Sequence, residues 1–298
     1  MNVPALSVVV PSVNGWPDLR DCMIALRENA RDVQIEILVV DRVGDPVRVP
    51  LRAEFPEAVL LEAAPGTTIP DMRAAAIRRA ASPLVAILED HVLVPEGWAR
   101  SMIGAQMRHG GVVGGSVTNV ATERLVDRAA FLSEYGQVMP PLAAGPTERL
   151  AGNNIVYPRA LLEAHRGIVE SGRWEDWWHR EFRRTGTALT CCPEITVFHR
   201  ERRPAREYLS QKFYYARSFA GGRVAGRAAA VRLAYGLGAF LLPPALLGRI
   251  VGRVWTKRLH RRDVLRSLPF IGLLVSAWGA GEVVGYWFGP GNALSRVC

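Results

Sequence analysis

An apolar segment that ends in three potential metal ligands is the part of this sequence best suited to chemistry. Residues 84–88 (Leu-Val-Ala-Ile-Leu) contain no turn former, which is typical of a strand buried on both faces. Glu89, Asp90 and His91 follow immediately. Open α/β sheets bind ligands at the carboxyl ends of their strands. The pattern therefore predicts a divalent-cation site, against the simpler interpretation of a solvated acidic turn.

The segments around this loop predict the sheet and helices that position it. Three further apolar runs predict strands, at residues 6–10, 35–40 and 59–61. One helix face is predicted from the spacing of Leu19, Cys22, Met23 and Leu26, and the Ala- and Arg-rich segment 70–81 predicts another helix. This alternation indicates an α/β fold, a mostly parallel sheet with helices on both faces. Asp41 ends the second run and is expected to share one cleft with residues 89–91.

Charge is divided unevenly along the chain and indicates two regions. Residues 1–199 carry 20 Lys and Arg against 24 Asp and Glu, whereas residues 200–298 carry 17 against 4. The basic residues flank long apolar runs, which a nucleic-acid surface does not require. We therefore expect a catalytic domain at 1–200, a helical membrane-associated region at 201–298, and anionic lipid headgroups rather than nucleic acid as the partner.

Two apolar stretches in the basic region have the length that crosses a hydrocarbon core, at about 233–251 and 268–288. Pro243 and Pro244 interrupt the first stretch and Glu282 lies within the second, so neither is a clean span. Interfacial aromatic anchors are predicted at Trp278, Tyr286 and Trp287. The alternative is a buried helical pair of a soluble domain.

The linker between these stretches bears on topology. Residues 252–267 contain six Lys and Arg and one acid, Asp263. Short basic loops stay in the cytoplasm, so a shallow or re-entrant hairpin that keeps the linker cytoplasmic is predicted.

The amino terminus lacks a basic region and a long apolar run, and none of the four cysteines has CxxC spacing. A reduced compartment, no zinc site and a cytoplasmic catalytic domain at the inner membrane are expected.

Five segments of residues 5–200 occur in an order that resembles one enzyme family. They are LSVVVPSVNGWPDLRDCMIAL, ILVVDR, AILEDHVLVPEGW, AGNNIVYPRALLE and WEDWWHREFRRTG. Together they resemble the inverting, nucleotide-sugar-dependent glycosyltransferases of family 2, which have the Rossmann-like GT-A fold. The resemblance implies a nucleotide-sugar donor, with a UDP-sugar expected first.

The resemblance implies roles for residues along the donor. Pro11 leads the loop after the first strand, and Asp41 reads the base, for which a buried carboxylate can accept the imide N–H of uracil. Arg73 is expected to reach the pyrophosphate with its planar guanidinium. Asn153 and Asn154 are expected to hydrogen-bond sugar hydroxyls, although an Asn-Asn pair is equally a turn former.

The segment Glu89-Asp90-His91 resembles a variant of the family's acidic DXD motif. Asp90 or His91 is expected to ligate Mn²⁺ or Mg²⁺, with Glu89 turned to the ribose or sugar. His199 closes an apolar run where the family often places a histidine close to the metal and diphosphate. The cation would stabilise the leaving diphosphate as a Lewis acid.

Two acids among three tryptophans provide the candidate base. An inverting transfer needs a carboxylate to accept the proton of the acceptor hydroxyl, and desolvation raises the pKa of such a base toward the working pH. The resemblance places this base at Asp176, with Glu175 as the alternative. The expected acceptor is a lipid-linked or cell-envelope glycan. Two other functions stay open: a catalytically inactive membrane assembly partner, and a nucleotidyltransferase that releases pyrophosphate.

Overall fold

The computed structural model describes residues 3–297 and divides into two compact units. One unit comprises Met1–Val120 with Val138–Arg200, and the other comprises Ala121–Gln137 with Glu201–Cys298. Sequence composition indicates a boundary only near residue 200. The segment Ala121–Gln137 has no compositional signal of its own, because its place in the second unit depends on packing with distant helices.

Within residues 3–297, the first unit is built on a nine-stranded sheet. The strands are β1 (Leu6–Ser12), β2 (Ile35–Asp41), β3 (Val59–Glu62), β4 (Leu84–Ile87), β5 (Val92–Leu93), β6 (Val112–Asn119), β7 (Gly145–Pro146), β8 (Ile155–Pro158) and β9 (Leu189–His199). Their spatial order is β3-β2-β1-β4-β8-β6-β9-β5, and β7 pairs with β9.

The direction of the strands places several loops at one edge of the sheet. Strands β3, β2, β1 and β4 are parallel, as predicted. Strand β8 is antiparallel to β4 and β6, and β6 is parallel to β9, so the second half of the sheet is mixed. The carboxyl ends of β1, β2, β4 and β9 and the start of β8 consequently lie at the same edge.

Seven helices of the described residues belong to the first unit: α1 (Trp16–Asn29), α2 (Asp45–Glu54), α3 (Ile69–Arg79), α4 (Trp98–His109), α6 (Arg159–Ala164), α7 (Arg166–Val169) and α8 (Glu175–Arg184). The predicted apolar face of α1 is confirmed, since its Leu19, Cys22, Met23 and Leu26 are all buried. Strand β1 extends through Pro11 to Ser12, beyond the predicted end. Proline is tolerated there because β4 pairs with β1 only as far as Val9.

The second unit is helical, with α5 (Leu125–Tyr135), α9 (Ala205–Arg223), α10 (Ala229–Gly238), α11 (Leu242–Thr256) and α12 (Arg261–Phe288). A 3₁₀ turn at Ala239–Leu241 joins α10 to α11 next to the predicted break at Pro243-Pro244. Two segments, Ala229–Thr256 and Arg261–Phe288, are long and apolar enough to cross a membrane by length and composition. Cys22, Cys191 and Cys192 are buried, and Cys298 lies outside the described residues.

Candidate functional site

Two histidines that are 108 residues apart in sequence meet at the carboxyl edge of the sheet. The short strand β5 pairs antiparallel with the end of β9, and this register sets Val92 opposite His199. The backbone N–H of Arg200 donates to the carbonyl oxygen of His91, which fixes the same contact from the other side. As a result, the Nε2 atoms of His91 and His199 lie 2.9 Å apart, with the two rings nearly perpendicular at 89°.

Glu89 completes a cluster of three potential ligands with these two imidazoles. Its Oε2 lies 3.5 Å from His91 Nε2, and one ligand atom from each of the three residues lies within 4.8 Å of the others. Neighbouring ligands of an octahedral cation at 2.0–2.1 Å are separated by about 3 Å, so the distances of 2.9 Å between the two imidazoles and 3.5 Å from His91 to Glu89 are close to those of adjacent positions. Two imidazoles and one carboxylate suit Mn²⁺ better than the harder Mg²⁺.

Asp90, a predicted ligand, lies outside this cluster because its carboxylate is already occupied. Its Oδ2 accepts hydrogen bonds from the backbone N–H groups of Val13 and Asn14, at 2.7 and 2.8 Å. Its Oδ1 accepts from the side-chain amide of Asn14 at 2.6 Å. Asp90 is fully buried and fastens the loop after β1 to the loop after β4. The carboxylate that faces the imidazoles is therefore Glu89.

Two polar groups surround His91 Nδ1 and set the orientation of the ring. Asp90 Oδ1 lies 3.2 Å from this nitrogen and accepts from it when Nδ1 is protonated. The Asn14 amide lies 2.8 Å away and donates to it in the other tautomer. The first arrangement leaves the Nε2 lone pair directed at the cluster, which is the usual pattern of a metal-binding histidine held by a carboxylate.

A buried ion-pair network joins Glu89 to Glu175. Arg73, on α3, lies with Nη1 2.6 Å from Glu175 Oε2 and Nη2 3.6 Å from Glu89 Oε1. The side-chain amide of Asn153 donates to Glu89 Oε2 at 2.8 Å. Burial raises the pKa of Glu175, while the charge of Arg73 acts in the opposite direction. Burial also lowers the pKa of Arg73, but the charges of Glu175 and Glu89 outweigh it and leave that pKa raised.

Three buried polar atoms of this network lack a hydrogen-bond partner among the described residues. Among residues 3–297, no hydrogen bond satisfies Arg73 Nε, Asn153 Oδ1 or Glu175 Oε1. Unsatisfied buried polar groups are rare because each costs about 1–3 kcal/mol. A Cβ on Gly152 would lie 3.2 Å from Glu175 Oε2, so glycine lets the backbone approach these acids. The cluster suits a ligand that is rich in hydroxyl groups.

Replacing Arg73 by Met should lower the free energy of unfolding by about 3–5 kcal/mol, because buried Glu175 and Glu89 lose their shared cation. The midpoint of urea unfolding of the full chain measures this loss. Adding Glu175→Gln to the Arg73→Met variant should restore part of it.

Arg78→Met is the matched control for this prediction. Arg78 lies on the same helix and its exposed side chain pairs with Glu170 at 3.2 Å. Exposed ion pairs contribute about 0–1 kcal/mol, so this variant should unfold nearly as the wild type does. Equal losses in the Arg73 and Arg78 variants would contradict the buried bridge.

The two predicted sugar-contacting asparagines have different surroundings. Asn154 donates through Nδ2 to the carbonyl oxygens of Ser116 and Ile195, both at 2.8 Å, and its Oδ1 accepts from Trp98 Nε1 at 3.0 Å. This side chain ties strands β6, β8 and β9 together at the edge of the sheet. Asn153 donates through Nδ2 to Glu89, and among residues 3–297 its Oδ1 accepts no hydrogen bond.

Asp41 lies at the end of β2 as predicted, with four donors around its buried carboxylate. These are Ser12 Oγ (3.0 Å), Val43 N (3.2 Å), Gly44 N (2.8 Å) and Arg48 Nε (2.8 Å). A carboxylate accepts about four hydrogen bonds, so a base can bind here only by replacing a donor. Arg48 was not predicted, because its contact with Asp41 depends on how α2 packs beside the end of β2. Pro11 is buried in β1 beside Val40.

Asp176 lies exposed in the first turn of α8, next to buried Glu175. Of the three tryptophans, Trp178 is buried in the core, and the guanidinium of Arg173 lies 4.3 Å from the ring of Trp177. The first turn of a helix also favours a negative charge.

Helix α8 is held on the sheet by a buried pair. Tyr157, in β8, has its hydroxyl 2.9 Å from Nε2 of His179. Burial lowers the pKa of His179 to about 4, so the imidazole is neutral at neutral pH and shares a hydrogen bond with the phenol hydroxyl. This contact fixes the helix whose first turn carries Glu175 and Asp176.

No family model and no curated protein matches this sequence. Solved structures match it over nearly the whole chain. TarS of S. aureus, residues 1–349, aligns with a TM-score of 0.52 and 13% identity, over 94% of this chain and 90% of that chain. The same protein is known in complex with UDP-GlcNAc (TM-score 0.51) and with UDP (TM-score 0.52).

A second similar structure is the mannosyltransferase PcManGT from Pyrobaculum calidifontis in complex with GDP-Man and Mn²⁺. It aligns with a TM-score of 0.53 and 18% identity, over 93% of this chain and 75% of that chain. At such identities the likeness establishes the fold, and it confirms the α/β class expected from the sequence. The chain has the fold of the GT-A-type glycosyltransferases.

Proposed function

We propose that this protein is an inverting glycosyltransferase that moves a sugar from a nucleotide-diphosphate donor, first a UDP-sugar, to a lipid-linked or cell-envelope glycan. The observation that carries the proposal is the cluster of Glu89, His91 and His199 at the carboxyl edge of a GT-A-type sheet. Similar folds are known in complex with UDP-GlcNAc and with GDP-Man and Mn²⁺.

The three clustered residues are the proposed holders of Mn²⁺ or Mg²⁺. When bound, the cation supplies Lewis-acid stabilisation of the negative charge on the leaving diphosphate. Asp90 orients the ring of His91 and holds the loop after β1. Arg73 and Asn153 fix the position of Glu89, so the roles of Asp90 and Arg73 are supporting ones.

Asp176 is the proposed general base. Its carboxylate accepts the proton of the acceptor hydroxyl while that oxygen forms a bond to the anomeric carbon. The bond between this carbon and the diphosphate oxygen breaks on the opposite face, and its electron pair leaves with the nucleoside diphosphate. The sugar is thereby inverted at the anomeric carbon. The exposure of Asp176 leaves it accessible to an incoming acceptor.

The remaining donor contacts follow from the residues with spare hydrogen-bonding capacity. Asn153 Oδ1 and Glu175 Oε1 are the proposed acceptors for sugar hydroxyls. Asp41, beside Pro11, is the proposed base-reading residue, with the imide N–H of uracil replacing the Arg48 Nε contact. Asn154 is assigned to holding the sheet edge, because both ends of its amide are bound within the protein.

The acceptor class is proposed from the second unit. It is basic, and it holds two segments that are apolar and long enough to meet a membrane. An enzyme held at the cytoplasmic face of the inner membrane would act on a lipid-linked acceptor there.

Isothermal titration of the full chain with UDP, with and without Mn²⁺, tests the proposal. We expect UDP to bind more tightly when Mn²⁺ is present, and Mn²⁺ to support binding better than Mg²⁺ because two of the ligands are imidazoles. A catalytically inactive assembly partner would bind neither UDP nor Mn²⁺, and that result would overturn the proposal.

A further inference from the structure

We propose that the protein docks on one leaflet of an anionic membrane through the outer face of α10, α11 and the turn between them, while α12 stays inside the protein and does not cross the bilayer. This inference depends on the proposed membrane association and is independent of the reaction. Within the second unit the two apolar segments differ in burial: 11% of the apolar window of Ala229–Thr256 is buried, against 44% for Arg261–Phe288.

Helix α12 packs directly on α9 through small residues. A Cβ on Gly281 would lie 2.3 Å from the carbonyl oxygen of Phe213, and a Cβ on Gly285 would lie 2.5 Å from that of Arg217. One turn further along α9, a Cβ on Gly221 would lie 2.4 Å from the backbone nitrogen of Pro290. These contacts advance together along both helices, so α9 lies alongside the apolar carboxyl-terminal half of α12.

Helix α9, on one side of α12, is too charged for hydrocarbon. Over the length that accompanies α12, α9 carries Lys212, Arg217 and Arg223. An Arg or Lys at the bilayer centre costs about 2.5–3.5 kcal/mol even on insertion scales, so α12 cannot enter the bilayer and bring α9 with it. At its other end, α12 is tied to α5 by the ion pair of Arg128 with Asp263 at 2.5 Å.

The polar groups of α12 also face protein. Glu282 is buried and accepts hydrogen bonds from Trp278 Nε1 at 2.8 Å and from the hydroxyl of Tyr286 at 2.7 Å. Arg223 of α9 lies 3.5 Å from the same carboxylate. Tyr286 is therefore buried in the unit and is not available as the interfacial anchor predicted from the sequence.

The opposite side of α12 is covered by α10 and α11, whose outer face is largely exposed in the part of the chain described, with the ring of Phe240 6.2 Å from that of Trp287. On the inner side, Gly236 lies against Trp287, and Pro243 lies against Gly279. On the outer side an apolar stripe is exposed, with relative exposures of 54, 57, 62 and 72% at Leu233, Leu237, Phe240 and Leu241. Leu233 and Leu237 lie one turn apart on α10, and Phe240 and Leu241 follow in the 3₁₀ turn.

Charge identifies the occupant of this face as an anionic membrane. Residues 229–262 contain no Asp or Glu, and the exposed bases that follow the apolar stripe include Arg249, Arg258 and Arg262. An apolar face bordered by bases is typical of helices that lie in the plane of an anionic bilayer. In this arrangement the linker 252–267 stays on the cytoplasmic side with the headgroups.

Vesicle flotation of the full chain tests the docking face. Wild-type protein should float with phosphatidylcholine vesicles that contain phosphatidylglycerol, and less with phosphatidylcholine alone. The double variant Phe240→Ser, Leu241→Ser should lower the partition coefficient by about 10²-fold, because two exposed apolar side chains lose their burial in lipid. Leu273→Ser, an equally exposed apolar residue of α12 outside the stripe, is the matched control and should bind nearly as the wild type does.

Different outcomes test membrane association in general and docking through this face in particular. Failure of the wild type to float would reject membrane association itself. If the Leu273 variant lost as much vesicle binding as the double variant, or if the double variant lost none, this face would be rejected as the docking site. A stable dimer in sedimentation without lipid that the double variant dissociates would assign the stripe to a second copy of the chain.

Thiol accessibility in intact cells tests the topology. With the native cysteines replaced by Ser, Leu259→Cys places a single exposed thiol in the linker. We expect it to resist a membrane-impermeant maleimide in intact cells and to react after lysis. Labelling from outside would establish a crossing by Ala229–Thr256 and overturn the proposal.

Discussion

Asp176→Asn is expected to lower sugar transfer by about 10²-fold or more while donor binding is unchanged. The substitution keeps the size and polarity of the side chain and removes only its ability to accept the acceptor proton. Since Asp176 is exposed, the fold should persist, with a loss of at most about 1 kcal/mol from its place in the first turn of α8. The rate of nucleoside diphosphate release in the presence of acceptor measures transfer, and the affinity for UDP measures donor binding.

Asp45→Asn is a matched control, because Asp45 is an exposed acid in the first turn of α2. It should leave transfer unchanged. If transfer by the Asp176 variant stays within a few-fold of wild type, the base lies elsewhere. Glu175→Gln would then be the next variant, since Glu175 is the neighbouring buried acid with a raised pKa.

The variants His91→Ala and His199→Ala should each weaken Mn²⁺ binding by at least about 10²-fold, the upper end of the effect of losing a supporting residue of a metal site. Each removes one of three ligands from the cluster. Free Mn²⁺ measured by electron paramagnetic resonance gives this affinity without reference to activity. Far-ultraviolet circular dichroism should show an unchanged helix content.

His109→Ala, in the exposed last turn of α4, is the control for a non-specific effect of histidine removal. Asp90→Ala should behave differently from the ligand variants. Its loss leaves Val13 N and Asn14 N without their acceptor, so it should destabilise the loop as well as weaken Mn²⁺ binding. Mn²⁺ affinity within a few-fold of wild type in both histidine variants would reject the cluster as the metal site.

Short-range patterns in the sequence were sufficient to predict the first four strands, β1 to β4, of the nine-stranded sheet. The apolar run before Glu89, the periodic face of α1 and the run before Asp41 each depend on neighbouring residues, and the structure confirms these elements. The parallel direction of β1 to β4 was expected from the alternation of strands and helices, whereas their order β3-β2-β1-β4 was not predicted. The reversal at β8 has no such signal.

The side-chain contacts within the candidate site depend on long-range packing and could not be predicted from neighbouring residues. His91 and His199 meet because two residues of β5 pair with the end of β9, and so short a strand has no periodicity. Arg73 meets Glu175 through the packing of α3 and α8, which are about 100 residues apart. The residue types in this cluster were visible from the sequence, but which carboxylate faces which cation depends on backbone register.

The most direct test of the central claim is product analysis after incubation of the full chain with UDP- and GDP-sugars and Mn²⁺. We expect release of a nucleoside diphosphate from at least one donor. Chelation of the cation should stop this release, and the His91 and His199 variants should not release the diphosphate. A nucleotidyltransferase would instead release pyrophosphate from a nucleoside triphosphate and a sugar phosphate. That result, with no diphosphate released from any sugar nucleotide, would contradict the assignment as a glycosyltransferase.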